Sequence, residues 1–318
     1  MAFERLVRFI PRRQIARPLI GQPVNRLIDV GRAVYEGKAV EVQTFSGTSV
    51  LNPGTPTEQV ETIDRILSPL SVEEVGTIRC IGLNYENHAK EANDDPNSRY
   101  THDVHVRFGI LNTNARCTST AAKAVSDMHC IRKPAAALAD PWPAPTVIPK
   151  HTLSDDCADY EAELAIVIGK TCKNVSEVEA TGYILGYTAA NDVSSRASQI
   201  AQSQFCYSKG FDGSCPLGPV LVSAAVMPDP SAFTIRGLKN GEAMQNSSLS
   251  DMIFNCAKLV SFLSQGTTLP PGTIVLTGTP AGVGLGKKPP AYLKDKDEYV
   301  VELLPHVGSL YSVFEAEK

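Results

Sequence analysis

The residues of this chain best suited to binding a metal ion are two glutamates two positions apart, Glu161 and Glu163. They lie in residues 159–169, a segment that is otherwise rich in apolar side chains. Successive side chains of a β-strand point to opposite faces, so residues two apart share a face. The segment therefore predicts a strand whose opposite face, beginning with Ala162 and Leu164, packs into the core while the two carboxylates project together.

Adjacent carboxylates in an apolar strand repel each other and resist the loss of their water. A hard divalent cation such as Mg²⁺, Mn²⁺ or Ca²⁺ removes that conflict, since it prefers oxygen ligands. The alternative is a solvent-facing edge strand with two ordinary surface glutamates, which the pair alone does not exclude. A second apolar segment, residues 183–191, ends in Asp192. A third carboxylate at the end of a buried strand favours the metal site.

Polar residues that could bind an anionic substrate follow the second strand. Arg196 and Gln199 come shortly after Asp192, and Lys209 lies further along the chain. Each of them alone is more often a solvated surface residue. Their position after a candidate metal ligand makes all three candidates for the same site.

A glycine-rich loop, residues 277–284, contains Thr279. Its hydroxyls and backbone N–H groups could surround an anion. The loop lacks the Gly-Lys-Ser/Thr ending of a P-loop and the glycine pattern of dinucleotide-binding proteins, so nucleotide binding is the weaker interpretation.

A candidate proton-transfer pair lies earlier in the chain, where His88 and Glu91 are three residues apart in a segment of helical composition. On a helix they share a face, and a carboxylate beside an imidazole is suited to general base catalysis. The alternative is a surface histidine beside a surface glutamate in a charged helix.

The composition is that of a globular protein, with 43% hydrophobic and 20% charged residues among 318. A net charge of -4 gives no reason to expect nucleic acid or an anionic membrane as a partner. No stretch approaches the ~20 apolar residues that span a bilayer. The eight cysteines include no CxxC pair, and the N-terminus lacks the apolar core of a secretory signal. We therefore expect reduced thiols and a cytoplasmic location, with a mitochondrial one possible because the first residues are rich in arginine.

The pattern along the chain predicts two parts, a small N-terminal accessory domain in residues 1–72 and a catalytic domain in residues 73–318. In the first part the predicted strands are residues 5–10, 24–30, 33–35 and 39–45, and residues 59–67 read as mildly helical. In the second part the predicted strands are residues 78–83, 160–169, 183–191 and 273–277, and the predicted helices are residues 84–92, 175–181 and 250–265, the last capped by Ser250. Strands follow each other without regular helical crossovers, so the predicted fold class is mixed, β-rich α+β.

Taken together, six ordered segments resemble the fumarylacetoacetate hydrolase (FAH) superfamily over roughly residues 78–318. These segments are residues 81–91, 159–169, 191–196, 209–219, 240–246 and 276–284. The resemblance implies a β-roll catalytic domain of the FAH type, a small first domain, and a homodimer. It also implies Mg²⁺ (or Mn²⁺ or Ca²⁺) held by Glu161, Glu163 and Asp192, with Lys209, Gln199 and Thr279 in contact with substrate. Arg196 is a further candidate substrate-binding residue because of its position after Asp192.

The His-x-x-Glu pair resembles that of the acylpyruvase and oxaloacetate decarboxylase branch. The expected function is therefore hydrolysis of a C–C bond in a 2,4-dioxo acid, such as an acylpyruvate, through an enolate that the metal stabilises. His88, oriented by Glu91, would activate water, and Lys209 would add positive charge. Alternatives are an oxaloacetate decarboxylase or a keto–enol isomerase on the same site, and a non-catalytic metabolite-binding protein. The expected partner is a small 2-oxo acid, with neither nucleic acid nor membrane.

Residues 107–129 depart from the family pattern and have neither a strand nor a helical period. They represent either a surface insertion or untranslated sequence included in the gene model, and we favour the second hypothesis because the flanking residues would join into a plausible strand.

Overall fold

The structure of the protein is a computed structural model that describes residues 3–13, 17–94 and 128–318. Its strands are β1 (Arg5–Pro11), β2 (Leu19–Pro23), β3 (Glu41–Phe45), β4 (Pro56–Leu67), β5 (Ile78–Gly82), β6 (His129–Lys133), β7 (Leu138–Ala139), β8 (Pro145–Ile148), β9 (Ala158–Asp159), β10 (Ala162–Ile168), β11 (Ile184–Asn191), β12 (Ser194–Ser195), β13 (Cys215–Ser223), β14 (Thr234–Lys239), β15 (Glu242–Ser248), β16 (Ile274–Leu276), β17 (Glu298–Leu303) and β18 (Gly308–Ala316). Its helices are α1 (Val30–Tyr35), α2 (Glu86–Asp94), α3 (Glu177–Ala180), α4 (Arg196–Ala201), α5 (Cys206–Lys209) and α6 (Cys256–Ser264).

Two sheets form the body of the fold. The larger follows the order β2-β3-β4-β1-β13-β11-β10-β16-β5-β6, with β7 added beside β13, and the smaller follows β15-β14-β17-β18-β8. Most neighbouring strands are antiparallel, but β16 is parallel to β5, β18 to β8 and β13 to β7. This mixed, strand-rich architecture confirms the predicted α+β class.

Strand β10 lies at the centre of the larger sheet and pairs antiparallel with β11 and β16. All seven of its residues are buried. Leu164 and Ile166 belong to one hydrophobic cluster, whereas Ala165 and Val167 belong to the cluster on the other face. The predicted core strand is therefore confirmed, and the alternative of a solvent-facing edge strand is wrong.

The larger sheet continues across the expected domain boundary. Strand β1 pairs with β13, and Leu6 lies opposite Leu221. Both leucines are fully buried. The N-terminal strands and the catalytic region therefore share one ladder of hydrogen bonds, and a division near residue 72 stays a prediction.

The helical interpretation of residues 59–67 is wrong, because they form most of strand β4. This strand pairs with β1 through a β-bulge that skips Asp64 in the register. The extra residue places the buried side chains of Ile63 and Ile66 three positions apart within a strand. Their spacing imitates one face of a helix, which explains the error.

The strands predicted at residues 24–30 and 33–35 are also wrong, because residues 24–29 form a turn-containing connection after β2 and helix α1 occupies residues 30–35. The Asp29 carboxylate caps the helix by accepting a hydrogen bond from the backbone N–H of Arg32 at 3.1 Å. Such a cap satisfies a backbone donor that the first turn leaves without a partner.

The helix expected over residues 250–265 is shorter and has a different cap. Helix α6 begins at Cys256, and the Asn255 side chain accepts from the backbone N–H of Lys258 at 2.9 Å. Ile253 and Phe254, which precede Asn255, do not belong to the helix, because their backbone N–H groups donate to Asn84. Ser250 lies in a separate 3₁₀ turn, where it does not cap the helix.

Of the unusual segment at residues 107–129, residues 107–127 lie outside the described residues, whereas His129 begins β6. Among the helices that the structure describes, none combines the length and the apolar character needed to cross a membrane.

Candidate metal centre

The pairing of β10 with β11 brings the three predicted metal ligands together. Ala162 lies opposite Asn191, and the backbone N–H of Asp192 donates to the carbonyl of Glu161 at 2.9 Å. One carboxylate oxygen from each of Glu161, Glu163 and Asp192 lies within 4.8 Å of the others. All three side chains are buried, so their charges cannot be screened by bulk water.

Asp192 is compensated by two lysines. Its Oδ1 contacts the Lys133 Nζ at 2.6 Å, and its Oδ2 contacts the Lys209 Nζ at 2.8 Å. Burial opposes ionisation of this carboxyl group, but the two ammonium groups outweigh it and lower the pKa of Asp192 to about 2. The Asp192 carboxylate is therefore ionised at neutral pH.

Glu161 is compensated in the same way. Its two oxygens lie 2.8 Å from the Arg196 Nη1 and 2.8 Å from the Lys209 Nζ. Burial opposes ionisation, but Lys209 and Arg196 outweigh it and lower the pKa of Glu161. Two of the three carboxylates thus have their charge offset by the protein itself.

Glu163 is the exception. Among the described residues, its carboxylate accepts one hydrogen bond, from the backbone N–H of Gly278 at 2.6 Å, and forms no ion pair. Burial, followed by the charges of Asp192 and Glu161, raises the pKa of Glu163 well above its ordinary value. A divalent cation between the three carboxylates would remove this conflict, and an all-oxygen donor set suits Mg²⁺, Mn²⁺ or Ca²⁺. The residues present fit a bound metal ion.

Lys209 lies at the end of α5 and points into the centre. Its Nζ donates to Glu161, to Asp192 and, at 2.7 Å, to the Ser194 hydroxyl. Burial would lower the pKa of this ammonium group, but Asp192 and Glu161 outweigh it and raise the pKa. Lys209 therefore stays protonated beside the carboxylates of Asp192 and Glu161.

Arg196 and Gln199 lie on α4 and are buried in the same cluster. Arg196 contacts Glu161, the Gln199 Oε1 at 2.9 Å, and through its Nε the Asp159 Oδ2 at 2.7 Å. The structure thus brings these two of the three predicted substrate-binding residues to the centre, where Arg196 contacts Glu161 and Gln199 contacts Arg196. Their contact with substrate stays a prediction.

The glycine-rich loop is fastened to β10 by Thr279. Its hydroxyl donates to the carbonyl of Ala162 at 3.0 Å and accepts from the Gln245 Nε2 at 2.8 Å. This hydroxyl therefore donates one hydrogen bond and accepts another within the protein. Its predicted role in substrate binding stays a prediction.

The His88–Glu91 pair forms as predicted on α2. The His88 Nδ1 lies 2.9 Å from the Glu91 Oε2, and both side chains are partly buried. The Glu91 carboxylate also accepts from the backbone N–H of Gly282. Because a carboxylate only accepts hydrogen bonds, the proton of a neutral imidazole lies on Nδ1 and leaves Nε2 as the proton acceptor.

Several polar residues of the site were not singled out by the sequence. They include Lys133, Asp159, Ser194 and Gln245. Asp159 could have been found, because it continues the two-residue spacing of Glu161; its oxygens accept from the backbone N–H groups of Gly284 at 2.7 Å and Leu285 at 2.9 Å. Lys133 gives no such signal, since only the pairing of β5 with β6 brings it to Asp192.

The chain is similar to several known proteins. A sequence model described as fumarylacetoacetate hydrolase, C-terminal, matches residues 77–314. The caffeoylpyruvate hydrolase of Neonothopanus nambi is 39% identical over 327 aligned residues, covering 99% of this chain and 94% of the relative.

Two further proteins extend the comparison. Oxaloacetate tautomerase YisK of Bacillus subtilis (strain 168) is 40% identical over 164 residues, which cover 52% of this chain and 54% of the relative. The solved structure of a fumarylacetoacetate hydrolase from psychrophilic Exiguobacterium antarcticum superposes with a TM-score of 0.72 at 27% identity, covering 99% of this chain and 100% of that one.

Proposed function

Because the chain belongs to the fumarylacetoacetate hydrolase family, we propose that it is a metal-dependent hydrolase that cleaves a C–C bond in a 2,4-dioxo acid of the acylpyruvate type. The observation that carries this proposal is the buried carboxylate cluster with a His–Glu pair attached to the same loop. Gly278 contacts Glu163 and Gly282 contacts Glu91, so one short loop adjoins both groups. The nearly full-length similarity to a caffeoylpyruvate hydrolase supports this class of substrate.

The proposed metal is Mg²⁺, with Mn²⁺ or Ca²⁺ as alternatives, held by Glu161, Glu163 and Asp192. When bound, the cation supplies Lewis acidity to the carboxylate and keto oxygens of a 2-oxo acid. Lys209 keeps two of the ligands oriented and adds a fixed positive charge beside the reacting oxygens. We further propose that Arg196, Gln199 and Thr279 orient the substrate. We also propose that the protein is a homodimer and that it is located in the cytoplasm, with the mitochondrion as the alternative.

His88 is the proposed general base. Its Nδ1–H donates to Glu91, so its Nε2 takes a proton from water while the oxygen of that water adds to the acyl carbonyl carbon. The C–C bond next to this carbon then breaks, and its electron pair goes to the pyruvate fragment. That fragment takes up the proton from the His88 imidazolium, which restores the neutral base. The products are pyruvate and a carboxylic acid.

A second candidate function is tautomerisation or decarboxylation of oxaloacetate, favoured by the similarity to an oxaloacetate tautomerase over half of the chain. Both reactions use the same charged groups, but neither needs an attacking water. A non-catalytic metabolite-binding role is the third candidate, and the His88–Glu91 hydrogen bond opposes it, because binding alone does not need an oriented base.

Assays of acylpyruvates and of oxaloacetate, each with Mg²⁺ and with EDTA, separate these candidates. We expect metal-dependent hydrolysis, and a fall of about 10²- to 10⁴-fold in its kcat for His88→Ala, with a much smaller effect on oxaloacetate turnover. Lys90→Ala is the matched control, since Lys90 lies on the same helix with an exposed side chain. Hydrolysis that survives EDTA, or that His88→Ala leaves unchanged, would show the proposal to be wrong.

A further inference from the structure

We propose that Gly286 is a positioning residue for the general base, because its missing side chain leaves the space that the Glu91 carboxylate occupies. This inference rests on the proposed function, in which Glu91 orients His88. It assigns a role to a glycine that was not among the candidate site residues.

The Glu91 carboxylate joins the glycine-rich loop to the imidazole. The backbone N–H of Gly282 lies 3.0 Å from the Glu91 Oε1 and 3.2 Å from its Oε2. The same Oε2 accepts from the His88 Nδ1 at 2.9 Å. The orientation of His88 therefore depends on where the loop holds this carboxylate.

The loop amide is itself held firmly. The carbonyl of Gly282 accepts from the Tyr160 hydroxyl at 3.2 Å, and Tyr160 is fully buried and stacked on Tyr299 at 4.5 Å. Two residues further on, the N–H of Gly284 donates to Asp159. A displaced Glu91 consequently cannot draw the loop along with it and loses its hydrogen bond to Gly282.

A Cβ at position 286 would lie 2.7 Å from the Glu91 Oε1, 2.9 Å from its Cδ and 3.3 Å from its Cγ. In protein structures, a Cβ atom does not approach non-bonded atoms closer than about 3 Å, so the Glu91 side chain would have to move. The Gly286 backbone has no positive φ, the residue is exposed, and the nearest atoms to the added Cβ all belong to Glu91. Nothing but Glu91 requires glycine at this position.

Gly286→Ala should therefore displace the Glu91 side chain without disturbing the rest of the fold. Glu91 is partly exposed and can turn toward solvent, so the fold should remain intact. We expect kcat for acylpyruvate hydrolysis to fall about 10- to 100-fold, because a displaced base loses most of its contribution. The KM should change little, since the proposed metal and substrate ligands are untouched.

Gly182→Ala is the control, because an added Cβ there meets no atom within 4 Å and the backbone is equally permissive. The decisive measurement combines Gly286→Ala with Glu91→Ala. If Gly286 acts through Glu91, the double variant is no slower than Glu91→Ala alone. A merely structural defect at position 286 would instead slow the Glu91→Ala enzyme further, by the same factor as in the wild type, and would overturn the proposal.

Hydrogen exchange of the Gly282 amide tests the contact without any turnover. In metal-free protein this amide should exchange faster in Gly286→Ala and in Glu91→Ala than in the wild type or in Gly182→Ala. Unchanged exchange in Gly286→Ala would refute the proposed displacement. If the wild type hydrolyses no acylpyruvate but the exchange rates change as expected, the proposed function fails while the role of Gly286 in holding Glu91 stands.

Discussion

Lys133→Met should destabilise the protein strongly, although Lys133 belongs to no predicted motif. Its Nζ is fully buried and donates to the Asp192 Oδ1 at 2.6 Å, to the Ser214 carbonyl at 2.9 Å and to the Val193 carbonyl at 3.2 Å. Methionine has a similar length but no donor. The substitution leaves two buried carbonyls without this donor and leaves Asp192 with Lys209 as its remaining cation.

Removing one partner of a buried ion pair costs about 3 to 5 kcal/mol. At about 2.1 cal/mol/K per residue, the unfolding entropy of 318 residues is about 0.7 kcal/mol/K. The expected fall in melting temperature is therefore about 4 to 8 °C. Lys258→Met is the control, because Lys258 is half-exposed and 3.7 Å from Glu177, and should lose less than about 2 °C.

Calorimetry in EDTA measures both variants without a contribution from bound metal. The double variant Lys133→Met/Asp192→Asn should lose clearly less stability than the sum of the two single variants, since it removes the pair rather than one partner. Strictly additive losses, or a Lys133→Met loss no larger than that of Lys258→Met, would refute the assignment of Lys133 as the counter-ion of Asp192.

Two other predictions concern the carboxylates. Mg²⁺ at a hundredfold excess over Kd should raise the melting temperature of the wild type by about 4 °C, and Glu163→Gln should abolish this rise. In EDTA, the melting temperature of Glu163→Gln should equal or exceed that of the wild type, because the amide keeps the Gly278 contact without a buried charge. A retained rise with Mg²⁺ would exclude Glu163 as a ligand. In EDTA, the lowered pKa of Asp192 should contribute about 2 kcal/mol of stability above pH 4 that is lost as the pH falls through about 2. Chemical denaturation across this range should show a shallower decline for Asp192→Asn, and equal slopes would contradict the ion-pair assignment.

The sequence predicted that Glu161, Glu163 and Asp192 lie together, because their positions follow the periodicity of strands. Two-residue spacing placed Glu161 beside Glu163, and the end of the next apolar segment placed Asp192 nearby. What it could not predict were the counter-ions. Lys133 reaches Asp192 through the pairing of distant strands, and no local pattern encodes such a contact.

The errors in the fold have equally local causes. In β4 a bulge replaced alternation with a three-residue spacing, so Ile63 and Ile66 imitated a helix. Before α6, Asn84 bonds the backbone of the residues that precede Asn255 and delays the start of the helix. Both features depend on a partner strand or side chain far away in the sequence, which periodicity cannot reveal.

The central place of β10 in the larger sheet has a consequence for how the substrate range of such a protein can diverge. Glu163 lies in this strand and Glu161 directly before it, and the strand is buried on both faces and paired on both sides, so a change there disturbs the core as well as the carboxylate cluster. Exposed positions of the loops and short helices around the centre carry no such constraint. New substrates are therefore expected to arise from substitutions in those connections, while β10 itself diverges slowly.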